Sequence, residues 1–164
     1  MADFPAPAEG IVLTHFLVSD DVGRSRAFYT EVLGGEALTD GEPTIVALAN
    51  SWIIINTGGG PTDDKPSSTL EAPHDLDRVS AFLNIRVADI AAVYADWSAK
   101  GAQFLTEPID RGPEIRCYLR DPDGHLIEVG QSRRGVPIPA ITPHTRSWIC
   151  RTNDCRHQYS SRGC

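Results

Sequence analysis

The stretch Tyr118–Gly130, YLRDPDGHLIEVG, decides how the rest of the chain is read. Asp121-Pro122-Asp123-Gly124 is turn chemistry: proline presets φ, aspartate bonds its own backbone, and glycine accepts a left-handed corner. Leu126, Ile127 and Val129 then read as a strand. Glu128 interrupts it. Alternation sends Ile127 and Val129 to one side of the strand and Leu126 and Glu128 to the other. A buried carboxylate there needs a metal or a charged hydrogen-bonding partner.

Working outward, the chain repeats itself. THFLVSDDVGRSRAFYTEVLGG (14–35) and LNIRVADIAAVYADWSAKGA (83–102) each begin as a short strand, pass an aspartate, and continue at helical period to a glycine. Val22, Tyr29, Val32 and Leu33 make the first apolar stripe, and Ile90, Val93, Tyr94 and Trp97 the second. Asp20 or Asp21, and Asp89, are natural N-caps. After each helix come further strands: TIVALA and SWIIIN around Asn50, then EIRCYLR and HLIEV around the opening turn.

The spacing therefore predicts an α+β fold. Two βαβββ modules pair into a curved, cleft-forming mixed β-sheet with the helices on its outer face, because one such unit cannot cover both faces of its own sheet. The predicted domain spans 11–130. Residues 11–56 form the first module, 57–79 a Gly/Pro/Asp-rich linker, and 80–130 the second module. Residues 131–164 show no period and read as a basic, Cys-containing, mostly disordered tail.

Charge narrows the function. The net charge is −7 over 164 residues. The tail holds six arginines and one aspartate, so the body is more acidic still. An acidic body argues against nucleic acid. No apolar run is long enough to span a membrane. MADFPAPAEG lacks the order of a signal peptide, so a cytoplasmic address is the expectation. Cys150, Cys155, Cys164 and His157 are poorly spaced for zinc, and the cysteines read as free thiols.

The paired modules, SRAFYTEVLGG after the first strand and YLRDPDGHLIEVG at the end resemble the vicinal oxygen chelate superfamily. It holds glyoxalase I, extradiol dioxygenases, fosfomycin-resistance enzymes and bleomycin-binding proteins. The resemblance covers about residues 11–130. It implies a divalent metal ion (Mn, Fe, Ni or Zn) in the cleft, with Glu128 as the last-strand ligand and His15 as the first-strand ligand. Counting back from Asp21 puts Thr14 at the ligand position. Counting from Asp20 puts His15 there, and this phase is preferred because it keeps the imidazole out of the helix layer. In the second module Asn84 stands opposite His15, while the family's usual spacing points to Phe82. The expected metal ligands are thus His15, Glu128 and Asn84, with His15 and Glu128 also catalytic.

Alternation puts Arg86 on Asn84's face and Arg116 on the face of Tyr118, which the family places in the pocket. Arg86, Arg116, Tyr118, Asn84 and Trp52 are the expected substrate-binding residues. The two arginines either receive an anionic ligand or pair with Glu128 and Glu114. Two functions stay open. One is a metal-dependent lyase, isomerase or dioxygenase acting on a small oxygen-rich substrate. The other is a metal-free drug- or metabolite-binding protein of the bleomycin-resistance type. A homodimer is expected in either case.

Overall fold

The computed structural model describes residues 7–134. Two strand–helix–strand modules follow one another. The first holds β1 (Thr14–Val18), α1 (Val22–Ala27), β2 (Glu36–Ala37), β3 (Thr44–Leu48) and β4 (Ser51–Asn56). The second holds β5 (Leu83–Arg86), α2 (Ile90–Ala99), β6 (Gln103–Phe104), β7 (Ile109–Asp110), β8 (Glu114–Arg120) and β9 (Leu126–Ser132). This is the expected α+β class.

Local chemistry starts and stops these elements. Asp21 caps α1 by accepting from the Arg24 N–H, at 2.9 Å, and Asp89 caps α2 by accepting from the Ala92 N–H, at 3.0 Å. Each carboxylate satisfies an amide that the first helical turn leaves without a partner. Beyond Ala27, Phe28–Val32 widens into a π-helical turn, closed by the Leu33 N–H on the Phe28 carbonyl. Such turns are rare and reset the face a helix presents. Here Val22, Ser25, Tyr29 and Leu33 are buried.

The strands run in two sheets, ordered β1-β4-β3-β2 and β5-β9-β8-β6, with β7 on β8. The expected single curved sheet is thus two hydrogen-bonded ladders, with β1 and β5 each an edge. Ile53, Ile55, Val46 and Leu17 from one sheet and Ile127, Val129, Leu119 and Cys117 from the other join the two helices in one buried cluster. Ile127 and Val129 therefore sit as alternation requires. Burial alone pushes the Cys117 thiol up to about 11, so it is an inert core group.

What joins the modules is the Asp121–Gly124 turn between β8 and β9. Asp123, with 1% of its side chain exposed, accepts from the Ser19 hydroxyl at 2.8 Å, the Asp20 N–H at 3.0 Å and the Arg24 guanidinium at 2.7 Å. The Ser25 hydroxyl donates to it as well. Asp121 accepts from the Tyr29 hydroxyl at 2.9 Å, and a His125 ring nitrogen reaches the Val18 carbonyl at 2.7 Å. The β8–β9 turn is thus a plug set in the β1–α1 corner of the other module. The segment between modules is pinned to the same turn, since Arg120 donates to the carbonyls of Gly124 and Leu76.

Candidate functional site

The second sheet presents one polar face, opposite the buried cluster. β5 pairs with β9 so that Asn84 stands beside Glu128 and Arg86 beside Gly130. β8 pairs with β9 so that Tyr118 stands beside Glu128 and Arg116 beside Gly130. Strand alternation then gathers Asn84, Arg86, Arg116, Tyr118 and Glu128 on a single surface. Glu128 is its centre and is buried.

Three of these neighbours hold the carboxylate. The Asn84 amide donates to Oε1 at 2.5 Å. The Tyr118 hydroxyl donates to Oε2, a bond that is the first cause of the raised Tyr118 pKa. Arg86 Nη1 lies 3.6 Å from Oε1. Arg86 also meets Glu114 at 2.8 Å and donates to the Ser132 hydroxyl at 2.8 Å. Arg116 pairs with the other oxygen of Glu114 at 3.1 Å. Two guanidinium groups thus meet two carboxylates, and the positive cleft is replaced by a neutral one. Of the two fates open to the arginines, pairing with Glu114 and Glu128 is the one observed.

Gly130 makes this possible. A Cβ there would overlap the Arg86 guanidinium, which lies across the bare backbone on its way to Glu114. A lone glycine inside a strand signals such a close approach. That signal, and the period-two spacing of Glu114 to Arg116 and Tyr118, are the two cues in the sequence that point to this network.

His15 does not join Glu128. β1 pairs with β4 in a register that sets His15 beside Ile53 and Leu17 beside Ile55. Ile53 and Ile55 belong to the buried cluster under α1, so His15 shares the helix-side face and the preferred phase is off by one residue. Thr14 and Phe16 take the cleft side, with Trp52, Ile54 and Asn56 on the neighbouring strand. The cause is the cap. Asp21, not Asp20, starts α1, so it corresponds to Asp89, and the counterpart of Asn84 is Phe16.

The imidazole that had seemed too costly to place there is half-buried beside the junction. Burial first, and the nearby His125 second, push its pKa down, while Asp121 pulls it up. A folded pKa below the ordinary 6.5 means that the folded state prefers the neutral ring. That contribution is complete above 6.5 and is lost as pH falls through the folded pKa. We expect a His15→Leu chain to lose less stability than the native one between pH 6.5 and 5 in urea titrations. Equal losses would show that His15 does not report on the joint.

On the cleft side the family's first-strand positions are therefore Thr14 and Phe82, and Ile54, beside Phe16, is the counterpart of Glu128, beside Asn84. One carboxylate, already hydrogen-bonded, with the Asn84 amide that donates to it, a hydroxyl, an isoleucine and a phenylalanine includes no nitrogen ligand and is a poor donor set for Mn, Fe, Ni or Zn, which take several nitrogen or oxygen ligands. Among the described residues, no three His, Cys, Asp or Glu side chains converge to hold an ion. The tail's Cys150, Cys155, His157 and Cys164 lie outside the described residues. Among those described, no helix is long and apolar enough to cross a membrane.

Phe82 packs edge-on against Tyr118, with ring centroids 6.2 Å apart, and is 44% exposed. Phe16 is 46% exposed. Phe82 thus sets aromatic surface beside Tyr118 on the second sheet, while Phe16 and half-buried Trp52 share one face of the first sheet.

Residues 12–129 match the profile of the Glyoxalase/Bleomycin resistance protein/Dioxygenase superfamily. A probable lactoylglutathione lyase of Vibrio parahaemolyticus (serotype O3:K6, strain RIMD 2210633) is 26% identical over 136 residues, covering 77% of this chain and 94% of its own. TnmS3, an antibiotic binding protein from Streptomyces sp. CB03234, has TM-score 0.55 at 19% identity, over 77% of this chain and 99% of that one. The genomically encoded fosfomycin resistance protein FosX of Listeria monocytogenes has TM-score 0.56 at 16% identity, over 75% and 93%. These two likenesses show the fold. The profile match takes in most of the described residues, and the chain belongs to the Glyoxalase/Bleomycin resistance protein/Dioxygenase superfamily.

Proposed function

We propose that this chain is a metal-independent small-molecule-binding protein, its ligand held on the cleft face between Tyr118, Phe82 and Trp52. One observation carries the reading. Both oxygens of Glu128 are taken by donors of its own sheet, while His15 stands on the opposite face. A metal-dependent lyase, isomerase or dioxygenase would need that carboxylate free and a nitrogen ligand beside it. A neutral polar centre flanked by aromatic rings instead suits a flat organic molecule, oriented by a few hydrogen bonds. TnmS3, described as an antibiotic binding protein, has the same fold and is consistent with this use of it. The proposal includes a homodimer, for which light scattering should return about twice 17.8 kDa.

The test is elemental mass spectrometry of protein purified without chelator or affinity-tag metal, with thermal shifts in excess Mn, Fe, Ni or Zn. A specific ligand at a hundred times its Kd stabilises by about 2.7 kcal/mol. For a chain of this size that is roughly 5–10 °C. We expect no ion to give such a shift and no metal near stoichiometry. A stoichiometric ion that Glu128→Ala loses would overturn the proposal. Quenching of Trp52 fluorescence by planar ligands, abolished in Trp52→Phe, would support it.

A further inference from the structure

Two grooves flank the segment between the modules. The larger, about 320 Å³, lies by the end of β1 and the glycines 58–60, away from Glu128. The smaller, about 230 Å³, is lined by Glu71, Pro73, Arg78, Val79, Ser80, Ala81, Gly124, His125 and Leu126. Leu126 is two residues before Glu128 on β9 and shares its face, and Ala81 is followed directly by Phe82. The smaller groove therefore prolongs the cleft face at the end nearest the β8–β9 turn.

Its polar lining is mostly engaged. Glu71 pairs with His74 at 3.0 Å. The His125 ring is bound to the Val18 carbonyl. Arg78 differs. Its backbone N–H is spent on the Asp75 carbonyl, but among the described residues no carboxylate lies within ion-pair distance of its guanidinium. Asp75 and Asp77 are near it in sequence, yet the Asp75 carboxylate turns back to accept from the Asp77 N–H. Val79 and Leu126 supply apolar wall beside it.

The contrast with Arg86 and Arg116 decides the reading. Those two are neutralised by Glu114 and Glu128, so the cleft centre offers an anion no net attraction. Among the described residues Arg120 also lacks a carboxylate, but its guanidinium is spent on the Gly124 and Leu76 carbonyls, whereas the Arg78 guanidinium has no such partner and borders a groove of mixed polar and apolar lining that ends next to Phe82 in sequence. A guanidinium grips carboxylate, sulfonate or phosphate oxygens through two parallel bonds.

We infer that Arg78 and the groove between the inter-module segment and β9 form an anion-binding subsite of the cleft, so that the ligand is an aromatic molecule with one negatively charged group. This inference rests on the small-molecule-binding reading above. The ring system lies along Phe82 and Tyr118, and the charged group reaches Arg78, with the Ser80 hydroxyl as a second donor.

Two dyes with a shared ring system test it. The anion 8-anilino-1-naphthalenesulfonate and neutral N-phenyl-1-naphthylamine are titrated by fluorescence into the full chain and into Arg78→Gln and Arg78→Lys. Arg78 is exposed, so both variants should keep the native melting temperature. We expect Arg78→Gln to weaken the sulfonate dye about tenfold, Arg78→Lys to restore most of that loss, and the neutral dye to change less than twofold. Equal effects on both dyes, or none on either, would overturn the subsite while leaving the cleft reading intact. If neither dye binds the native chain, the cleft reading falls and the subsite with it.

Discussion

An Asp123→Ala chain should unfold about 3 kcal/mol more easily than the native one, the order expected when one member of a buried, charge-assisted network is deleted. At this length that lowers Tm by roughly 6–12 °C. Asp123 is almost fully enclosed and collects four donors from the other module. Removing it leaves the hydroxyls of Ser19 and Ser25 facing a void, with Arg24 alone able to swing into water. Asp123→Asn keeps the volume and one acceptor and should recover part of the loss. Burial raises the pKa of this carboxylate, but the bonds from Ser25 and Ser19, the Asp20 amide and the Arg24 charge outweigh it, and the net shift is downward. Its contribution is therefore present above the ordinary value of 3.8 and is lost as pH falls through the folded pKa. The alanine variant should show a shallower loss of stability in that acid range. A loss of less than about 1 kcal/mol at neutral pH, within the spread of ordinary surface substitutions, would sink the plug as the joint.

Tyr29→Ala should be costlier still, about 4 kcal/mol, as for other large aromatics deleted from a core. Tyr29 is fully buried, packs edge-on against Phe28 at 5.3 Å, and directs its hydroxyl to Asp121. Burial and the Asp121 charge raise its pKa well above the ordinary range, so the hydroxyl stays a donor throughout the accessible pH range. Tyr29→Phe separates the two roles. It keeps the ring but leaves buried Asp121 short of a donor, a loss of about 1–2 kcal/mol. Chemical denaturation of the two variants checks the ordering. If phenylalanine is neutral, the bond to Asp121 adds nothing and the ring alone holds the joint. Combined with Asp123→Ala, the phenylalanine variant should depart from additivity, because both partners sit on one turn.

The frame of this protein was legible because it is written in local periods. The helical stripe of Ile90 to Trp97 and the alternation of Ile127, Glu128 and Val129 each state which side is buried. What failed was a phase. Asp20 and Asp21 are adjacent acids that can each cap a helix, and Leu17 and Val18 are both apolar, so nothing local says which residue faces the sheet's helix side. The π-helical turn and the serines under the plug could not settle it either, since their partners lie about a hundred residues away. Alternation gathers the polar face, but it leaves the fate of Arg86 open between a ligand and pairing with Glu114 or Glu128. A free guanidinium and one laid over Gly130 toward Glu114 look alike until the third strand is placed beside them. Arg78 lies in a stretch without period that gives no sequence cue, and its place beside Leu126 comes from the pinning of that stretch by Arg120.

The β8–β9 turn serves two ends at once: it pins the modules together and it launches the strand that carries Glu128. Changes at Asp121 or Asp123 will therefore imitate lesions of the site in any assay that reads activity per cell. What they reduce first is the amount of folded protein, since a deficit of 1–2 kcal/mol already alters cellular abundance several-fold. A mutational survey that does not normalise to soluble protein would assign the motif to ligand recognition. One that does would find the turn among the determinants of abundance, and the pocket a few residues downstream and across the sheet.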